Sequence, residues 1–246
     1  MYFSEKVLVL RTGRFKEYDL WVRFLSPSKG VLTGFAFGGC KSRKRFSGCL
    51  DVLNLVLFKI SPSKRNRYLV LEEGSLVNGY SELKNDHFRL GMAVNALRFV
   101  QHTCPEGDDC SGVYRLMLNY LDTLENNSSI PSFFPLLFRA RASFSHGYQP
   151  CLDCCCRCSL KLNKITRPGF LVAEGGIICA ECRQGGDRVL RIQWESLDFL
   201  QKLNSSDPEE WAEWTPVQTV LQDCLELVDS FVDFHLGGGL SDLRSG

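Results

Sequence analysis

The chain has 246 residues, 44% apolar and 11% aromatic, enough for real cores in two or three domains and too many for wholesale disorder. Its net charge of +1 conceals an asymmetry: residues 1–80 hold 14 Lys/Arg against 6 Asp/Glu, whereas residues 192–246 hold 2 against 11. A polyanion is therefore drawn to the first third and repelled by the last quarter. The opening MYFSEKVLVLRTG has no long apolar stretch of the signal-peptide kind. No segment approaches the roughly 18 uninterrupted apolar residues of a membrane span. The expectation is a soluble, cytoplasmic protein.

Five strands are expected in residues 1–80. They are KVLVL at 6–10, YDLWVRFL at 18–25, VLTGFAFG at 31–38, LDVLNLVLFKI at 50–60 and RYLVLEE at 67–73. Each is rich in β-branched and aromatic residues, and turn signals such as Pro27-Ser28-Lys29-Gly30 and Ser61-Pro62-Ser63 separate them. Five short strands in so few residues fit a small closed barrel of the OB type, with an SH3-like barrel as the competitor that strand counting leaves open.

Near Ser81 the apolar period changes from two to about 3.6. A helix is expected over 83–103 with Leu83, Phe88, Met92, Leu97 and Val100 facing a core. After the turn CPEGDDC, Ser111 is placed to cap a second helix bearing Val113, Leu116, Met117, Tyr120, Leu121 and Leu124. A third follows Pro131, carries Phe134, Leu137, Phe138 and Phe144, and stops at Gly147. Two more are expected at 194–203 and 216–236, the latter with Val220, Leu221, Leu225, Val228, Phe231 and Val232, ended by Gly237-Gly238-Gly239.

Seven of the twelve cysteines fall between Cys151 and Cys182, unlike the spread of a disulfide framework. Cys179 and Cys182 form one CxxC. Upstream, both Cys151/Cys154 and Cys155/Cys158 have that spacing. Twenty residues separate Cys158 from Cys179, within the span of common zinc ribbons, whereas 24 separate Cys154 from Cys179. Cys155, Cys158, Cys179 and Cys182 are thus the expected ligands of one structural zinc. Two CxxC bends would face each other across a tetrahedral site, the second delivered by a hairpin around Glu174-Gly175-Gly176. Four thiolates leave the ion no open position, so the metal is not expected to catalyse. Cys151, Cys154 and Cys156 remain as extra thiols. A catalytic CxxC is disfavoured because no βαβ pattern surrounds it.

Two basic groups lie between expected strands: Lys41, Arg43, Lys44 and Arg45 in CKSRKRFSG, and Lys64, Arg65 and Arg67 before the fifth strand. Phe35, Phe37 and Phe46 flank the first, and Tyr68 follows the second. OB barrels that hold single strands combine a positive groove with aromatic platforms for the bases. Such cations would contact phosphates, giving affinity without sequence preference.

These residues together resemble the RecO family of bacterial recombination mediators. VLRTGRFKEYDLWVRFLSPSKGVLTGFAFGGCKSRKRFSGCL resembles its N-terminal OB domain, and FRARASFSHGYQPCLDCCCRC its helix, Gly-aromatic-x-Pro step, Leu-Asp and CxxC. EGGIICAEC and FVDFHLGGGLSDL are similar to the returning CxxC and the closing helix and tail. One departure is Ser159, where the family has glycine after the first CxxC. The resemblance implies an α+β chain: a five-stranded OB-fold β-barrel at 1–80, then an α-helical domain at 81–246 with a zinc-binding insertion at about 148–190. It also implies a non-enzymatic role: binding single- and double-stranded DNA, annealing complementary strands, and helping load RecA onto DNA coated with single-strand-binding protein. RecR is an implied partner, as is RecF in many bacteria. The tail of single-strand-binding protein is expected on the helical domain, with Arg139 and Arg141 as candidate contacts.

Two competing readings stand beside this one. An enzyme lacks its motifs here: there is no HExxH, Walker loop or nucleophile elbow, and His87, His102, His146 and His235 are scattered. A zinc-ribbon and OB-fold transcription or RNA-binding factor would use the same parts, and sequence-specific binding would distinguish it.

Overall fold

The computed structural model describes residues 2–42, 44–65, 67–145 and 150–235. The chain forms two compact units, Met1–Asn126 and Asn127–Gly246. In the first, strands β1 (Phe3–Arg14), β2 (Leu20–Ser26), β3 (Gly30–Ala36), β4 (Leu55–Pro62) and β5 (Leu69–Asn78) close a barrel in the order β1-β2-β3-β5-β4. A meander would put β4 beside β3. Instead β5 pairs parallel with β3, and β4 crosses over to pair antiparallel with β1 through Phe3↔Ile60 to Leu8↔Leu55. This Greek-key closure is that of the OB fold.

Alternation sets the barrel interior. Val7 and Val9 from β1, Val22 and Phe24 from β2, and Val56, Phe58 and Ile60 from β4 point inward with Leu32, Ala36 and Leu71. The intervening Leu8, Leu10 and Leu25 are also buried, so this part of the barrel is covered on its outer face too. That is why the first strand reads as an unbroken apolar run.

Strand boundaries shift from the sequence expectation. Residues 50–54 are not strand, because Leu53 has a left-handed backbone (φ 69°), and Leu50 joins the barrel core from a loop. The fifth strand runs on to Asn78. The expected 83–103 helix is two helices, α1 (Ser81–Asn85) and α2 (His87–Thr103), divided at Asp86. There the backbone is extended and the carboxylate caps α2 by accepting from the amides of Phe88 and Arg89 at 2.9 and 3.0 Å. Phe88 therefore sits in the first turn, 57% exposed, and does not join the core. Helix α3 (Ser111–Asn126) buries the whole expected stripe from Val113 to Leu124. Ser111 is its first residue and not its cap. Its amide is held by the Asp109 carboxylate at 2.9 Å.

The 104–110 connection closes onto the β2–β3 turn. Cys104 accepts from Val31 at 3.2 Å, and Gly107 and Cys110 donate to Lys29 and Pro27, each at 3.0 Å. Gly30 has φ +67°, and a Cβ there would overlap the carbonyl oxygen of Pro105, so the turn admits only glycine.

The second unit has helices α4 (Phe134–Ser145), α5 (Trp194–Ser205), α6 (Pro208–Trp211) and α7 (Gln218–His235). A three-stranded sheet of order β7-β6-β8 is built from β6 (Gly169–Leu171), β7 (Gly176–Ile178) and β8 (Val189–Arg191). The hairpin at Gly175 was legible from the sequence; β8 and α6 were not. Phe231 of α7 joins the sheet to the helices, edge-on to Phe144 at 6.1 Å and Phe170 at 6.3 Å. Leu225, expected inside, is 41% exposed. The expected stops at Gly147 and Gly237–Gly239 lie outside the described residues. Among the described residues no helix is long and apolar enough to cross a membrane.

Candidate nucleic-acid interface and metal centre

On the outer wall of the barrel the side chains opposite in parity to the core form an aromatic cluster. Cross-strand pairing sets Trp21 beside Phe35, while their neighbours Val22 and Ala36 are buried. Phe35 is the hub. Phe15 from the β1–β2 loop meets it edge-on at 4.9 Å, Tyr68 from the β4–β5 loop at 5.3 Å, and Phe37 stacks at 6.4 Å. Phe15 and Tyr68 are 51% and 44% exposed, so their rings offer open faces. Trp21 lies flat against Gly13, where a Cβ would come within 2.5 Å of the indole. Arg11 sits 5.7 Å from its ring. Tyr18, Trp21, Phe15 and Arg11 were missed from sequence, although strand parity points Trp21 outward once Val22 and Phe24 are taken as core.

Three loops meet around this cluster. The Asp19 carboxylate accepts from the Gly38 amide at 2.8 Å, and the Cys40 amide donates to Tyr18 at 3.1 Å, joining the β1–β2 loop to the segment after β3. The ammonium of Lys41 lies over the Tyr18 ring at 3.3 Å. Arg45 donates to the Phe37 carbonyl at 2.6 Å and to that of Glu72 at 3.5 Å, while its own carbonyl accepts from Gly74. Arg45 thus braces the loop as well as charging it. Lys44, Lys64, Arg65 and Arg67 are exposed. Arg43 lies outside the described residues. Phe46, expected to flank the basic group as a stacking surface, is 4% exposed within the barrel core and out of reach of a base. Exposed rings with exposed cations on adjoining loops can stack bases and neutralise phosphates.

In the second unit the Sγ atoms of Cys155, Cys158, Cys179 and Cys182 all lie within 4.8 Å of one another. The Sγ atoms of Cys158 and Cys179 are 3.8 Å apart. A tetrahedron with metal–sulfur bonds of about 2.3 Å has edges of about 3.8 Å, so the donor set fits a tetrahedral ion. The first bend is made where the Cys155 amide donates to Leu160 and the Ser159 amide to Cys155, at 2.8 and 2.9 Å. Ser159 closes it with φ 58°, a conformation that suits glycine better. The second bend is a 3-10 turn over Ala180–Cys182. Burial works to raise the Cys155 thiol, but amides of Cys179, Cys158 and Arg157 pointing at its sulfur prevail and bring it down to about 6.

Arg157 locks the two bends together. It pairs bidentately with Asp187 at 2.8 and 2.9 Å, with Glu174 at 2.8 Å, and donates to the Cys182 carbonyl at 2.8 Å. Helix α7 backs the hairpin: His235 Nε2 donates to the Val172 carbonyl at 2.8 Å and Arg188 to the Ser230 hydroxyl at 3.1 Å. Of the extra thiols, Cys151, Cys154 and Cys156 are half-buried. Among the scattered cysteines, Cys49, Cys104, Cys110 and Cys224 are buried and Cys40 is exposed. Arg139 is ion-paired with Asp229 at 3.5 Å, with both side chains largely covered. Arg141 is half-buried, and burial lowers its pKa against the attraction of Asp207.

The family model for the Recombination protein O N terminal matches residues 1–80, and that for the Recombination protein O C terminal matches 84–244. The chain belongs to the RecO family. It is 41% identical over 237 residues to the DNA repair protein RecO of Oleidesulfovibrio alaskensis, with 96% of each chain covered. It is 37% identical to that of Maridesulfovibrio salexigens and 38% to that of Nitratidesulfovibrio vulgaris, again with 96% of each chain covered. The two family matches together span both units of the chain.

Proposed function

We propose that this RecO chain acts in DNA repair and recombination without catalysing a reaction, as a mediator that binds single- and double-stranded DNA and anneals complementary strands. The observation that carries this is the Phe15–Phe35–Phe37–Tyr68 cluster, bordered by Lys41, Lys44, Lys64, Arg65 and Arg67 on the loops of the barrel. Bases stack on the rings whatever their identity, and the cations hold the backbone, which suits a protein that must accept any sequence. Residues 1–80 are then the DNA-binding domain. Residues 81–246, with the insertion at about 148–190, present partner surfaces.

Zinc is the proposed ion of the four cysteines, supported by the all-thiolate donor set and its edge length. It would hold the returning chain on the helices and supply no catalysis. In this reading the protein works in the cytoplasm with RecR, in many bacteria with RecF, and helps load RecA onto DNA coated with single-strand-binding protein. That protein's acidic, hydrophobic-ended tail would meet the helical part, where Arg139 and Arg141 are the candidate contacts. A tail binding at Arg139 must compete with its Asp229 ion pair.

The test is annealing of complementary strands, both bare and coated with the cognate single-strand-binding protein, without ATP. Acceleration on both is expected. Failure on coated DNA by folded, zinc-loaded protein rules out the mediator role, and strong dependence on one DNA sequence favours a transcription or RNA-binding factor.

A further inference from the structure

Cys151 and Cys154 lie beside the metal-binding four but behave as a separate pair. Their Sγ atoms are 3.3 Å apart, and the Cys151 thiol also reaches the Cys154 carbonyl at 3.3 Å. That spacing is shorter than the roughly 3.8 Å edge of a tetrahedral thiolate site and only about 1.3 Å longer than a disulfide bond. A small rotation about each Cα–Cβ bond brings the two sulfurs to bonding distance.

The backbone holds both residues where they are. Cys151 donates to Gly175 at 3.1 Å and accepts from Ile177 at 2.8 Å, which ties it to the hairpin of β7. Cys154 bridges to Lys161, and the Asp153 carbonyl accepts from Leu162 at 2.9 Å. Gln201 of α5 grips the middle of the segment, donating to the Leu152 carbonyl and the Asp153 carboxylate, each at 3.0 Å. Little backbone freedom remains to be lost when the sulfurs join. Both thiols are half-buried, within reach of a small oxidant, unlike the buried Cys104, Cys110 and Cys224.

We propose that Cys151 and Cys154 form a redox-active thiol pair, distinct from the metal ligands, that closes to an intramolecular disulfide when the cell supplies a small hydroperoxide. One sulfur attacks the peroxide O–O bond, gains the hydroxyl as a sulfenic acid, and releases the alcohol, or water when the oxidant is hydrogen peroxide. The second thiol then attacks that sulfur and expels water. Two thiols lose two electrons and two protons, and one peroxide is reduced. Two equivalents of a small thiol reverse the step and leave as their own disulfide. The bond closes a short loop within the segment entering the knuckle, which backbone hydrogen bonds from Cys151 already tie to the hairpin of β7, and leaves the four ligands and their ion in place.

The experiment treats the full-length, zinc-loaded protein with hydrogen peroxide below one equivalent. It then alkylates free thiols under denaturing, chelating conditions and maps peptides by mass, with metal content measured in parallel. The expected result is a Cys151–Cys154 disulfide, no released zinc, and full reversal by dithiothreitol. A Cys151→Ser/Cys154→Ser variant should keep the metal content of the parent and lose this first oxidation. Release of zinc with the first oxidation, first disulfides among Cys155, Cys158, Cys179 and Cys182, or reduced zinc in the double variant would each overturn the proposal. A parent that holds no zinc would defeat the metal reading alone, since the peptide map still reports whether this pair closes.

Discussion

Arg45 donates from its guanidinium to the carbonyl of Phe37 at 2.6 Å, so a residue of the basic loop also fastens the end of the strand that bears the stacking cluster. Its neighbour Lys44 is exposed. Arg45→Ala should therefore lower thermal stability by about 1 kcal/mol and weaken DNA binding, whereas Lys44→Ala should weaken binding only. Thermal melts beside binding titrations separate the two. Equal stability of both variants would show that the brace contributes nothing.

Charge and stacking should separate by salt. Replacing Lys64, Arg65 or Arg67 by Ala should flatten the dependence of log Kobs on log salt by about 0.7 for each phosphate no longer neutralised. Phe35→Ala or Tyr68→Ala should cost about 1–3 kcal/mol in single-strand affinity and leave the slope unchanged. Titrations on a homopolymer at several salt concentrations measure both quantities. A changed slope in the aromatic variants would mean that the rings only position the cations.

Metal removal should act on stability first. Chelation of the folded protein, or Cys179→Ser, should lower the apparent stability of residues 127–246 by on the order of 3 kcal/mol or more, because a site absent from the unfolded chain couples binding to folding. Any loss of annealing should follow that destabilisation. Hydrogen exchange before and after chelation reads it out. A variant without metal that stays fully protected and active would show the ion to be dispensable.

The cap of α2 gives a pH signature. The Arg89 amide, then its side chain and the Phe88 amide, hold the Asp86 carboxyl below its ordinary value against a smaller opposing effect of desolvation. A lowered carboxylate contributes stability that is present above its unfolded pKa of about 3.9 and is lost as pH falls through the folded value. Asp86→Asn keeps a capping oxygen without the titration. Its melting temperature should lie below that of the parent at neutral pH, and the gap should close in acid. A gap that persists at low pH would place the effect elsewhere.

The β2–β3 turn should tolerate no side chain. Gly30→Ala adds a Cβ in a left-handed position against the Pro105 carbonyl, and should cost more than about 1 kcal/mol. Comparing chemical denaturation midpoints of parent and variant measures this. An unchanged midpoint would mean that the 104–110 connection can move aside freely.

By itself the amino-acid order determined what depends on local spacing. Period-two and period-3.6 patterns placed the strands and the larger helices, because each exposes one side of a repeating backbone to the core. Counting twenty residues between CxxC bends picked Cys155 and Cys158 from five neighbouring thiols, and the four sulfurs do meet. Tertiary structure alone decided what depends on the meeting of distant segments. Phe46 and Tyr68 look alike beside basic residues, yet barrel closure buries one and exposes the other. The Asp86 break needed the carboxylate turned onto the amides of Phe88 and Arg89, and the three-residue β8 needed β6 to pair with. The candidate metal site shows the same division. Spacing named its four sulfurs, and only folding showed that Arg157 locks its bends and that the Cys151 and Cys154 sulfurs meet as a separate pair.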